Sequence, residues 1–184
     1  GKKDEAERIM GNCAAMLCIV AVVLTVFFLF SGKSVLMLFG ASENTIVYAW
    51  NYMQIYACGT IFVQLALGMN AFINAQGFSR IGMITVVIGA VCNIILDPIF
   101  IFVLGMGVRG AALATIFSQG VSCTWILKFL MGAKTTLRLK PQCMKIQGKV
   151  VLPCIALGVS PFIMQFTESI LSVCFNTSLL KYGG

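Results

Sequence analysis

The chain has 184 residues, of which 59% are hydrophobic and only 10% charged, with a net charge of +7. A water-soluble domain of that size carries about 25% charged residues, so a soluble fold is excluded by its lack of surface. Eight scattered cysteines without a Cys-x-x-Cys pair, and no histidine, leave zinc and haem chemistry without ligands.

The chain opens on Gly-Lys-Lys-Asp-Glu with no initiator Met and closes on Gly183-Gly184 just after an apolar run, so both ends read as cuts in a longer protein. Five apolar segments follow one another, at 12–30, 46–72, 81–104, 111–131 and 150–173. Each is long enough, at 1.5 Å per residue, to cross a hydrocarbon core about 30 Å thick. None shows the period-two alternation of a membrane barrel, so the fold class is all-α and polytopic. The second segment exceeds the required length and is expected to tilt or bend. The stretch Lys33–Glu43 between the first two is expected outside the membrane, as a surface turn or a plain loop.

Charge orients the set. Lys2, Lys3, Arg8, Arg80, Lys128, Lys134, Arg138, Lys140, Lys145 and Lys149 fall on one side of five alternating crossings, and only Lys33, Arg109 and Lys181 on the other. The side with ten basic residues is expected to be cytoplasmic. That places the protein in the cell inner (plasma) membrane. The basic stretch 134–149 lacks aromatics and suits anionic lipid headgroups better than nucleic acid.

Acidic groups inside the bilayer cost about 2.5–3.5 kcal/mol at a helix centre and mark function by default. Only two of the six acidic residues, Asp97 and Glu168, lie in apolar segments. Gly89, Asn93 and Asp97 are four apart and share a helix face, and Pro98 removes an N–H beside them. A carboxylate, an amide oxygen and a freed carbonyl form a plausible cage for a proton or small cation. The turn near Met106 lies nine residues from both Asp97 and Thr115, which sets them at one depth, about 12 Å below the outer edge. Tyr52 reaches a similar depth from the second segment. Ala111, Thr115, Ser118 and Ser122 form a small, weakly polar stripe that also fits plain helix packing. Asn70 and Asn74 fit either a cavity wall or a helix-end cap before Gln76-Gly77. Met69 and Met83 fit an adaptable pocket or a lipid-facing surface. Glu168 stands with Gln165 and Thr167 on the last segment.

The run Asn93-Ile-Ile-Leu-Asp97-Pro98, followed by Gly105-Met-Gly107-Val-Arg109-Gly-Ala-Ala-Leu-Ala-Thr115, resembles the fifth and sixth helices of the MATE (multidrug and toxic compound extrusion) family. Asn70-Ala-Phe-Ile-Asn-Ala-Gln76-Gly77 is similar to the end of its fourth helix, and Leu157-Gly158-Val-Ser-Pro161 to the start of its seventh. The resemblance implies twelve helices in two lobes. Residues 1–131 would then hold helices three to six of the first lobe, 132–149 the cytoplasmic linker, and 150–184 the first helix of the second lobe. It further implies alternating-access export of drugs and toxic organic cations, coupled to H⁺ or Na⁺, with no cofactor and no metal beyond that Na⁺. Asn93, Asp97 and Thr115 would match the family's cation site, while Tyr52 and Asn70 would fall on the drug cavity. Some branches carry a carboxylate in the seventh helix, near Glu168. The missing remainder of the chain and the lipid bilayer would be its other partners.

Rival functions predict other residues. A flippase for lipid-linked saccharides needs deep Arg or Lys for phosphate, and no basic residue lies deep in a segment. An intramembrane protease needs a histidine or a matched pair of aspartates, so the chain reads as no enzyme. A non-transport membrane scaffold needs no buried carboxylate at all.

Overall fold

The computed structural model describes residues 2–132 and 134–182, the last three by backbone only. Gly1 and Gly183-Gly184, taken above as cut ends, lie outside the described residues, as does the Lys181 side chain. The described chain is helical throughout, with no strand. In order come α1 (Lys2–Leu38), α2 (Ile46–Cys58), α3 (Thr60–Ala75), α4 (Ser79–Pro98), a π turn (Ile99–Val103), α5 (Val108–Met131), a 3₁₀ turn (Pro141–Met144) and α6 (Gly148–Tyr182). Four of these helices are long and apolar enough to span a membrane singly, and the α2–α3 pair gives a fifth, broken span.

The first helix is longer than its apolar segment. Its 37 residues, at 1.5 Å each, reach about 55 Å, so its charged first turns project beyond the bilayer. The stretch from Lys33 is not the loop the composition suggested, because nothing up to Leu38 opposes a helix. The helix stops where Gly40 takes a φ of +91° and the Ala41 N–H reaches back to Leu36 O at 3.1 Å. This is a Schellman cap, which needs a residue tolerant of the left-handed region. Gly77 ends α3 in the same way, with φ +85° and Phe78 N–H on Ile73 O.

The over-long second segment bends by 58° between α2 and α3. Gly59 sits at φ −88°, ψ −1°, outside helical geometry, and its N–H closes on Tyr56 O at 3.0 Å. Carbonyls freed by a break inside lipid must find donors. Thr25 of α1 donates to Ala57 O at 2.7 Å, and Thr60 donates to Tyr56 O at 3.4 Å. The break lies against α5, where a side chain on Gly59 would collide with Ile116.

The tightest packing is at the basic end of the bundle. Met10 and Ala14 of α1, Ala66, Met69 and Ile73 of α3, and Cys123, Ile126 and Leu130 of α5 form one buried cluster, completed by Leu139 of the linker. Met69 is fully buried there, so it is neither a lipid-facing nor a cavity-lining residue. Its position between α1 and α5 is a tertiary fact that helical periodicity does not report. Met83 is 60% exposed on the outside of α4. Beyond its first turns α6 leaves the bundle, and its described side chains from Ile155 to Leu179 are exposed apart from half-buried Val173.

Candidate functional site

The site grows from one face of α4. Thr85, Gly89, Asn93 and Asp97 recur every four residues and so stack along one stripe. The helix α5 runs antiparallel beside it after a turn made by Gly105 (φ +64°) and Gly107 (φ +56°). Two close approaches fix the register. A Cβ on Gly110 would meet Phe100 O at 2.6 Å, and one on Gly89 would meet Ser122 Oγ at 2.6 Å. These contacts bracket Asp97 and Thr115 from both ends and put them on one level of the helix pair. Pro98 does not break α4; the helix passes instead into the π turn, whose wider coil absorbs the missing N–H.

Asn93, Thr115 and Asn70 come together as walls of one cavity of about 270 Å³ between α3, α4 and α5. The rest of its polar lining is Thr85, Ser118, Gln119 and Ser122. Asp97 is half-buried at the edge of this group and joins it through Asn93, whose amide donates to Asp97 Oδ1 at 3.4 Å. The Thr115 hydroxyl donates to Ala111 O at 3.0 Å, which leaves its lone pairs free to accept or coordinate. Asn70 donates to Gly82 O at 3.4 Å, while its buried Oδ1 has no hydrogen-bond partner among the described residues. A buried acceptor without a donor in the described chain is the kind of group a cation or a donor-bearing ligand satisfies.

The two serines serve packing. Ser118 donates to Ala114 O within its own helix at 2.7 Å, and Ser122 crosses to Thr85 O of α4 at 3.2 Å. Tyr52 is placed elsewhere, in a shallow, mostly apolar groove with Leu36, Tyr48, Met53 and Val108, stacked on Tyr56 at 5.9 Å. Glu168 is exposed on α6 and accepts from Gln165 Nε2 at 3.0 Å, away from the other site residues. Sequence reasoning missed Thr85 and Gln119 as cavity walls. Both carried a signal, since each lies on the four-residue spacing of a residue that was chosen (Thr85 with Asn93, Gln119 with Thr115).

A second polar cluster went unread. At the basic end, Glu7 of α1 is only 3% exposed, accepts the Arg138 N–H at 3.1 Å and pairs with Lys140. The Lys140 hydrogen bond, helped by the Arg138 amide, holds the Glu7 carboxyl below the usual carboxylate range, and raises Lys140 in return. Asn12 donates to Cys143 O at 3.2 Å and accepts the Gln147 N–H at 2.7 Å. Gln76 Oε1, at the end of α3, accepts from both Thr135 Oγ and the Leu137 N–H at 2.8 Å. Three side chains from two helices thus tie down the segment 135–147.

The MatE family model matches residues 1–99. The chain is 30% identical over 143 residues to the multidrug export protein MepA of Staphylococcus haemolyticus (strain JCSC1435), covering 78% of this chain and 32% of that protein. It is 36% identical over 103 residues to Protein DETOXIFICATION 43 of Arabidopsis thaliana, 55% of this chain and 20% of the relative. It therefore spans about a third or less of the length of these curated relatives. Among solved structures it resembles the MATE multidrug transporter DinF-BH, solved with a drug bound, at TM-score 0.91 and 31% identity over 97% of this chain and 40% of that one. An inward-facing multidrug resistance MATE family transporter of the MOP superfamily gives TM-score 0.85 and 25% identity over 93% of this chain and 39% of that one. With five apolar spans, a carboxylate among them and more than half its length inside the family match, the chain is a multi-pass membrane protein that belongs to the MATE family.

Proposed function

We propose that the protein containing this chain is a cation-coupled antiporter that exports cationic amphipathic compounds by alternating access. The observation that carries this is the joining of Asp97, through Asn93, to a cavity walled by neutral amides and hydroxyls. An acid at that depth is costly as a bare charge and is stabilised by a bound proton or sodium ion. Asn93, Thr115 and Asn70 offer further oxygens of the kind sodium takes. Cation entry then shifts the balance between inward- and outward-open states by its differential affinity for them. The membrane potential adds about 2.3 kcal/mol per charge per 100 mV.

The basic end of the bundle is the cytoplasmic end in this account, and the membrane is the plasma membrane. Tyr52 and Glu168 belong to the drug path only if a second lobe closes over them. A saccharide-lipid flippase is the weaker alternative, because the cavity walls carry no cation for a phosphate.

The test uses the gene-encoded protein in proteoliposomes with a fluorescent rhodamine dye as the probe, under imposed sodium or pH gradients. Asp97→Asn removes a charge-assisted ligand worth about 1.5–3 kcal/mol, so gradient-driven export should fall roughly 10–100-fold with the protein still inserted. Export at the wild-type rate in that variant refutes the role of Asp97.

A further inference from the structure

The segment joining α5 to α6 is long, basic and without regular structure apart from one 3₁₀ turn, yet it is not free. Its fixings come from separate elements. Glu7 holds Arg138 and Lys140, Asn12 holds Cys143 and Gln147, and Gln76 holds Thr135 and Leu137. The Leu139 N–H returns to Leu130 O at 3.0 Å, and the Leu139 side chain is part of the main buried cluster. Buried polar side chains that satisfy backbone groups of a distant segment fix its path, because releasing the segment strands each of them without a partner. Fixing stops at Gln147. From Gly148 onward the chain is α6, which touches the bundle near Cys154, with its Sγ 3.9 Å from Cys13 Sγ, and then stands exposed.

We propose that Glu7, Asn12 and Gln76 are positioning residues that make 135–147 a fixed part of the first lobe, so that motion between lobes pivots at Gln147-Gly148. The pivot rests on the two-lobe transport reading; the fixing of the segment does not. A tethered linker sets where the second lobe starts. A loose one of this length leaves the start of α6 to wander, and the two lobes lose their common register. Glu7 contributes most, since its carboxylate takes two donors from the segment while lying almost wholly out of solvent.

Spin-label distances in the gene-encoded protein, with native cysteines replaced, test both halves. One label pair at Glu5 and Gln142, both exposed, reports the linker against α1; a second at Gln142 and Leu171 reports α6 against the linker. The first pair should give one narrow distribution in sodium-loaded, acidified and rhodamine-loaded protein alike. The second should shift or split between those conditions. Glu7→Ala should broaden the first distribution, and Glu7→Gln, whose amide oxygen still accepts the Arg138 N–H, should restore its single narrow population. A first pair that moves with the second, a second pair fixed in all three conditions, or a first pair indifferent to Glu7→Ala overturns the proposal. Loss of rhodamine export with these distances as expected counts against the transport reading alone.

Discussion

Gly89 and Ser122 lock α4 to α5 beside the site, and the lock has a calculable strength. A methyl group on Gly89 would lie 2.6 Å from Ser122 Oγ but 3.8 Å from its Cβ and 4.0 Å from Ser118 O. Gly89→Ala therefore collides with one atom, the hydroxyl that donates to Thr85 O. Relief requires that hydroxyl to turn away and lose its bond, or the helices to part by several tenths of an ångström. The cost is about 1–3 kcal/mol by the usual penalty for overpacking. Ser122→Ala loses only an interhelical hydrogen bond, which averages about 0.6 kcal/mol inside membranes. In the double variant the new methyl meets only atoms at ordinary contact distance, so it should be no less stable than Ser122→Ala alone. The cycle should thus show a favourable coupling of about 1–2 kcal/mol. Unfolding of the solubilised, gene-encoded protein, measured for the four variants, decides it. Strict additivity, with the double variant the least stable, would show that α4 and α5 do not pack in this register.

Met69→Ala, which empties a fully buried site between α1 and α5, should cost about 2–5 kcal/mol in the same assay, whereas Met83→Ala on the exposed side of α4 should cost almost nothing. Gly110→Val drives a side chain into the backbone of Phe100, which cannot rotate away, so it should lower stability and displace Thr115 from Asp97, reducing export more than Val121→Ala does. For Glu7 the folded carboxyl lies below its ordinary value of 4.5, so its contribution is complete above that value and is lost as the pH falls through the folded value. The Glu5–Gln142 distance should accordingly be flat from about pH 5 to 8 and broaden only under stronger acid; broadening near neutrality would contradict it.

Much of the architecture was legible because a bilayer leaves little choice. An apolar run of some twenty residues must be a helix, and five such runs with basic breaks give the spans and the shared end. The four-residue spacing of Gly89, Asn93 and Asp97 located the polar stripe for the same reason, and Gly105 and Gly107 located its turn. What was hidden depends on partners distant in sequence. Glu7 and Asn12 look like ordinary charged and polar residues of a helix start, and only the return of residues 138–147 makes them buried. Met69 looks like any methionine until α1 and α5 close over it. Tyr52 shares the depth of Asp97 by residue count, but depth does not fix rotation about the helix, and its ring turns to another groove. The end of α1 was misjudged because Lys33 and Ser34 suggest a loop by polarity, while helix termination is set by Gly40.

Infrared difference spectroscopy of the gene-encoded protein, with sodium added or acid imposed, isolates the carboxyl that takes up the ion. If Asp97 holds the coupling cation beside Asn93 and Thr115, one carboxyl band changes in the wild type and vanishes from the difference spectrum of Asp97→Asn. Identical difference spectra for the two proteins would mean that the ion binds elsewhere.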